Sequence, residues 1–307
     1  MSTEGARTTP GTLFVVPTPI GNLGDMTFRA VDALRDADRI FAEDTRRTRQ
    51  LMTHFEIPAK GRLHAMPAAR ERSRIEMLLD ALARGERVAI VSDAGMPGIS
   101  DPGALLVRAA LDEGHAVDVL PGASAVPVAV VASGIPADHF TFYGFPPRKA
   151  TERRTVLTRA MERDEAAIFY EAPGRIRALI STVVEIDAHR AVAVGRELTK
   201  MHETWIRSTA GEAAETISAT EPRGEYVVVI AAQESQRHSL SAPPEIAEIR
   251  AALEATSKDA RPKERAKLAA SALGIPVKVA YDVLVGADSG AAGGAVGAGA
   301  PPSSAVQ

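Results

Sequence analysis

Between residues 12 and 122, short aliphatic, β-branched runs alternate with amphipathic stretches, and this rhythm constrains the fold more than any other feature of the chain. TLFVV (12–16), RIFAED (39–44), RVAIVSDAG (87–95) and AVDVLPG (116–122) have strand character. Helical patterns lie between or beside them at 27–37, 45–55, 73–85 and 101–114. Gly85 closes one of these as a C-cap, and Pro102 sits in the first turn of another. A repeated strand–helix order predicts an α/β fold with a mainly parallel sheet and helices on both faces. After about residue 135 the strands crowd together: 140–145, 166–172, 190–198, 203–212 and 225–232, with helices at 151–163 and 174–184. This predicts a second α/β domain with a mixed sheet. The domains expected are 12–135 and 136–235, followed by a polar linker and a small helical, helix-turn-helix-like module at 245–285. The termini, 1–11 and 286–307, are expected to be disordered tails, the second because its Gly/Ala-rich composition offers almost nothing to bury.

Three strand ends share one design. VVPTPIGNLGD (15–25), IVSDAGMPGISDPG (90–103) and VLPGASA (119–125) each pass from a buried-looking strand into Gly, Pro and small residues. They match neither G-x-G-x-x-G nor the G-x-x-x-x-G-K-[ST] phosphate loop. In open α/β sheets ligands sit beyond the carboxyl ends of the strands, so three such loops predict one shared crevice. Asp93 ends a strand there, and Ser124 and Ala125 are small enough to admit close backbone approach.

Composition narrows the chemistry. The 307 residues contain no cysteine, which excludes disulfides, zinc fingers and iron–sulfur clusters, and the seven histidines lie at least ten residues apart. No metal is expected. No apolar run is long enough for a bilayer, and the N-terminus has no signal-peptide pattern, so a cytoplasmic location away from membranes is the expectation. A net charge of −3 leaves nucleic-acid contact to local basic clusters. These are Arg46, Arg47 and Arg49; Arg148, Lys149, Arg153 and Arg154; and Arg261, Lys263, Arg265 and Lys267, with Lys278 nearby.

The blocks VPTPIGNLGDMTFRA, AEDTRRTRQLM, VSDAGMPGISDPG, LPGASA, FYGFPPRK, FYEAPGR, RELTKMHE and GEYVVVI occur in one order across residues 12–285. In these blocks the chain closely resembles the ribosomal RNA small subunit methyltransferase I family, within the tetrapyrrole-methylase fold group. The resemblance implies S-adenosylmethionine as cofactor, bound in a cleft between two α/β domains. It implies a homodimer that methylates the 2′-hydroxyl of a cytidine in the decoding centre of 16S rRNA, on RNA or on the small ribosomal subunit, and not DNA. It implies cofactor contacts from Ile20, Asp93, Met96, Ser124, Ala125 and Tyr170, and RNA contacts above all from 148–154 and 261–267. The sequence departs from the family pattern at Met96, where threonine is usual, at Gly174 for histidine, at Ala123 for proline and across HAMPAARE (64–71).

A ribose hydroxyl is a weak nucleophile at neutral pH, and a general base adds roughly 10²–10⁴-fold. Glu43 and Asp44 are candidates, with Asp44 equally suited to cap the helix that begins at Thr45. Lys200 is another, as a neutral base if desolvated or as a phosphate-binding cation if charged. Phe145, Tyr143 and Tyr170 are candidates to stack on an everted base. Two other readings compete: a tetrapyrrole, corrinoid or diphthine-type methyltransferase of the same fold, and a non-catalytic RNA-binding ribosome-assembly protein.

Overall fold

A computed structural model describes residues 11–233, 246–257, 260–273 and 277–289, with side chains of 277–289 described to residue 286. The expected tail 1–11, apart from Gly11, and most of 286–307 lie outside the described residues. Residues up to Gln233 form one compact unit and those from Glu234 a second.

The first sheet contains β1 (Thr12–Val15), β2 (Arg39–Ala42), β3 (Leu63–Ala65), β4 (Arg87–Val91) and β5 (Ala116–Val119). Its order is β3-β2-β4-β1-β5 and all pairings are parallel. Around it lie α1 (Phe28–Asp36), α2 (Thr45–His54), α3 (Ile75–Ala83) and α4 (Ala104–Asp112). Neighbouring side chains on a strand point to opposite faces. Ile40, Ala42, Ala89 and Val91 therefore meet α1 and α2 through Leu34 and Met52. Leu13, Phe41, Val88 and Ile90 meet α3 and α4 through Leu78, Leu82 and Leu106. Each buried aliphatic side chain contributes about 1.5–3 kcal/mol. Asp38 accepts from the Arg87 amide at 2.8 Å, fixing the entry of β4 beside β2.

Helices α1 and α2 start where the sequence supplies side-chain caps. Thr27 accepts from the Ala30 amide at 3.1 Å, and Asp44 from the Arg46 amide at 2.8 Å. Residues 64–71, where the sequence departs from the family pattern, run from β3 into the turns before α3. His64 lies on β3 against the Phe41 ring, Met66 is fully buried, and Glu71 accepts the amides of Gly103 and Leu105 at 2.8 Å, capping α4. The departure from the family pattern there falls on structural positions.

The second sheet is mixed, with order β6-β7-β10-β8-β9. Its strands are β6 (Phe140–Phe142), β7 (Ala166–Glu171), β8 (Ala191–Arg196), β9 (Thr204–Thr209) and β10 (Tyr226–Ile230). One face is covered by α6 (Ala150–Met161), α7 (Ile176–Ile186) and α8 (Ala210–Ser218). The strand expected over 203–212 stops at Thr209, because Thr209 and Glu212 form a reciprocal capping box that starts α8. The other face is covered by α5 (Ala125–Ser133) through Val126 and Ala129, although the sequence reading assigned this segment to the first domain.

The second unit holds α9 (Ile246–Glu254), α10 (Pro262–Leu273) and α11 (Val277–Ser289), the last reaching beyond the expected boundary at 285. Ile249, Leu253, Ala266, Ala269 and Ala280 form its core. Among the described residues no helix is long and apolar enough to cross a membrane.

Candidate active site

β1 lies between β4 and β5, so the three Gly/Pro-rich strand ends emerge side by side. They then lock together. Thr18 and Gly95 exchange two backbone hydrogen bonds at 2.9 Å. The Thr18 hydroxyl donates to the Ser92 carbonyl at 3.1 Å, and the Ser92 hydroxyl donates to the Gly95 carbonyl at 3.1 Å. Gly95 has φ +79°, which favours glycine, and a Cβ there would lie 3.3 Å from Cγ2 of Ile20. A Cβ on Gly122 would lie 2.4 Å from Cγ of Pro17, so the third loop also rests on the first.

These loops, the end of β7 and the start of β10 enclose a cleft of about 470 Å³. Ile20, Asp93, Met96, Ser124 and Ala125 line it from the first sheet's side, and Tyr170 lines it from β7. The six residues proposed from the sequence as cofactor contacts thus face one cavity. Five carboxylates share its wall: Glu43, Asp93, Asp101, Glu171 and Glu225, against the single cation Arg47. Such a lining favours a positively charged ligand.

The carboxylates are held differently. Asp93 Oδ1 accepts from the Asp44 amide at 3.0 Å, Oδ2 lies 3.4 Å from the Arg47 guanidinium, and the Asp93 amide donates to Glu43 Oε2 at 3.2 Å. These contacts tie the ends of β2 and β4 together. Burial pushes Glu43 above the usual carboxylate range, with the amide bond from Asp93 opposing. Asp101 is half-buried, and burial followed by the charges of Glu43, Asp93 and Glu225 pushes it up to about 7. Glu171 is buried, with Oε1 accepting from the Ala172 amide at 2.9 Å and lying 3.1 Å from the Arg175 guanidinium. Its Oε2 is buried with no hydrogen-bond partner among the described residues, and burial raises its pKa. Tyr170 is pushed up to about 12, first by burial and then by Asp101 and Glu225, so its hydroxyl stays protonated.

Comparison with known proteins places the chain in a family. The family described as Tetrapyrrole (Corrin/Porphyrin) Methylases matches residues 12–214. The chain is 41% identical over 276 residues to the ribosomal RNA small subunit methyltransferase I of Bacillus subtilis strain 168, covering 89% of this chain and 93% of that protein. It is 42% identical over 276 residues to the protein of that name from Xylella fastidiosa strain Temecula1, covering 89% and 98%. The chain belongs to the ribosomal RNA small subunit methyltransferase I family, within the tetrapyrrole methylases. Solved structures share the fold at low identity. Diphthine synthase superposes with a TM-score of 0.55 at 13% identity, over 72% of this chain and 90% of that one. Cobalt precorrin-4 methyltransferase superposes with 0.53 at 14% identity, over 72% and 94%.

In this tetrapyrrole methylase the candidate bases have distinct surroundings. Asp44 lines neither this cleft nor the cavity beside it. Its carboxylate caps α2 and pairs with Arg46 at 2.9 Å, and these hydrogen bonds hold it down to about 2. The geometry assigns it the cap. Lys200 is not a neutral base. Burial works against its charge, but hydrogen bonds to Glu197 at 2.8 Å and Glu225 at 3.0 Å prevail and raise its pKa.

The basic clusters are only partly free. Lys149 pairs with Glu152 at 3.0 Å, Arg154 with Glu185 at 2.7 Å, and Arg153 donates to the Thr182 hydroxyl at 3.1 Å, while Arg148 is exposed. Arg265 donates to the Leu253 carbonyl at 3.0 Å and serves the second unit's own packing; Arg261, Lys263 and Lys267 are exposed. Of the aromatic candidates, Tyr143 stacks on Phe169 at 4.9 Å and packs against the second core. Phe145 and Tyr170 line the cleft.

Asp101, Glu171 and Glu225 were missed by sequence reasoning. Asp101 carried a signal, lying in the second half of the Gly/Pro-rich strand end IVSDAGMPGISDPG, where Ser100 adopts φ +64° and Asp101 lines the cleft. Glu171 and Glu225 carried none beyond ordinary strand ends.

Proposed function

We propose that this chain transfers the methyl group of S-adenosylmethionine to the 2′-hydroxyl of a cytidine ribose in the decoding centre of 16S rRNA. The observation that carries the reading is the cleft itself: three loops from one parallel sheet converge on a cavity with five carboxylates and one arginine. The cofactor fits that lining, because it is a compact zwitterion with an extra positive charge on sulfur. When bound, it supplies an already activated methyl group. Ile20, Asp93, Met96, Ser124, Ala125 and Tyr170 would hold it, with Tyr170 as a hydrogen-bond donor and Glu171 Oε2 as an acceptor awaiting a donor.

The protein's own residues then have two tasks. The first is positioning, which is worth on the order of 7–11 kcal/mol when the reacting atoms are aligned. The joined loops are suited to this, since Gly95 and Gly122 leave no room for the turns to shift independently. The second is accepting a proton. Asp101 lies in the cleft with a pKa of about 7 before the donor binds, and the donor's positive charge favours its carboxylate, the form that accepts a proton. Glu43 and Glu171 are the other raised carboxyls in the cleft, with Glu43 Oε2 engaged by the Asp93 amide and Glu171 Oε1 by the Ala172 amide.

RNA would approach over exposed basic side chains such as Arg46, Arg47, Arg148, Arg261, Lys263 and Lys267. Such contacts bind phosphates without reading sequence. A homodimer working in the cytoplasm completes the proposal. The test is transfer of tritium-labelled methyl to small subunits from cells lacking this protein, with the product located by mass spectrometry of the rRNA. Label on a cytidine ribose is the expected result. Tight RNA binding without label would favour a non-catalytic assembly factor, and label only on a small tetrapyrrole would favour that substrate class.

A further inference from the structure

A second cavity of about 350 Å³ adjoins the first. Ile20, Arg47, Asp93, Ala94 and Glu225 line both, so whatever occupies one lies directly against the other. Its walls are the 18–23 loop, through Pro19, Gly21 and Leu23, and helix α2, through Gln50 and Leu51. Lys200 closes one side.

Three features point to what it holds. The first is charge. Arg47 and the protonated Lys200 face this cavity together with two carboxylates on the boundary: Asp93, 3.4 Å from Arg47, and Glu225, which takes one hydrogen bond from Lys200 at 3.0 Å. Cations beside a hydrogen-bond-accepting carboxylate suit a sugar phosphate. The second is the effort spent in placing Lys200. Glu197 and Thr199 both adopt left-handed backbone, at φ +55° and +63°, a conformation that is unfavourable for a non-glycine residue. A Cβ on Gly21 would come 2.4 Å from Lys200 Cγ and 2.7 Å from Thr199 Oγ1, so only glycine lets the two loops close on each other. Thr199 Oγ1 is also buried without a hydrogen-bond partner among the described residues. The third is surface chemistry. Pro19, Ile20, Leu23 and Leu51 offer an aliphatic slot, and no aromatic side chain lines it.

We infer that this second cavity receives the acceptor nucleotide: a single everted pyrimidine ribonucleotide, its base against Pro19, Leu23 and Leu51, its sugar hydroxyl facing Glu225, and a flanking phosphate near Arg47 and Lys200. This rests on the donor reading of the first cleft. A cavity of this size admits one nucleotide and not a helix, so the base leaves its stack to enter. Glu225 accepts a hydrogen bond from the 2′-hydroxyl and orients it toward the first cleft, where Asp101 takes the proton, and a deoxyribose gives Glu225 nothing to bind.

The test uses the full chain with two wall substitutions, Gln50→Trp and Leu23→Trp, which fill the second cavity from opposite sides at partly exposed positions outside the first cleft. S-adenosylmethionine affinity is measured by calorimetry, and kcat/KM by methyl transfer to unmodified small subunits. Both variants are expected to bind the donor within about twofold of wild type and to lose about 10- to 100-fold in kcat/KM. Unmodified RNA carrying a 2′-deoxycytidine at the target is expected to compete less well than the ribose form in wild type, and equally with it in Gln50→Trp. Wild-type transfer in both tryptophan variants overturns the acceptor pocket while leaving the donor cleft standing. Loss of donor affinity in both overturns the division into two pockets. A wild-type chain that takes up no S-adenosylmethionine overturns the donor reading before any variant is compared.

Discussion

Asp101 is expected to make donor binding depend on pH. In the empty cleft its pKa of about 7 stands above the ordinary 3.8, for reasons of burial and neighbouring negative charge. Folding therefore becomes less favourable as pH rises from about 4 through 7, because the folded chain holds a proton that the unfolded chain releases. A positively charged ligand reverses the balance by favouring the carboxylate. With a pKa near 7 the group is about 90% protonated at pH 6 and about 10% at pH 8. If the bound cation returns it below about 5, the donor binds about tenfold tighter at pH 8 than at pH 6, and binding at pH 6 releases about 0.9 proton. Calorimetry in two buffers of different ionisation enthalpy reads both quantities. Asp101→Asn removes the titration but keeps the volume, and the donor's own ionisations are common to both proteins. The expected result is a steeper pH dependence and a larger proton release in wild type than in the variant. Identical profiles would refute the assignment of the raised carboxyl to this residue and with it the case for Asp101 as proton acceptor.

Three further outcomes follow from the contacts. Asp93→Ala removes the acceptor for the Asp44 amide and the partner of Arg47, and is expected to weaken donor binding by more than about tenfold in the same calorimetric assay; unchanged affinity would remove Asp93 from the site. Asp44→Asn keeps an N-cap and abolishes a carboxylate base, so methyl transfer is expected within about threefold of wild type and the melting temperature nearly unchanged; a hundredfold loss of kcat would make Asp44 the base after all. Gly122→Ala places a methyl 2.4 Å from the Pro17 ring, which cannot rotate away, and is expected to cost about 1–3 kcal/mol in urea unfolding and to loosen donor binding.

Much of the fold was legible because its determinants are local. The unbroken apolar runs after Arg39 and Arg87, buried on both faces of the sheet, the caps at Thr27 and Asp44, and the Gly/Pro strand ends all act over a few residues. Where reading failed, a local signal was ambiguous or overridden. AVPVAVVAS is rich in β-branched residues, yet Ala125–Ser133 is helical, with Pro127 in the first turn where its missing amide hydrogen goes unused and Val126 buried against the second sheet. Leu63–Ala65 is short and only partly buried, and it becomes a strand by pairing with Ile40–Ala42.

The sequence by itself determined which turns were built to approach a ligand, because φ +79° at Gly95 and the rigid ring of Pro17 are properties of single residues and their neighbours. Only the tertiary structure decided what those turns enclose. Glu43, Asp93, Asp101 and Glu225 come from different strand ends and loops, and their charges meet at Asp101 only once both sheets are in place. Burial and charge repulsion depend on distance in space and not along the chain, so the cleft's preference for a cation, and the proton held by Asp101, exist only in the folded protein.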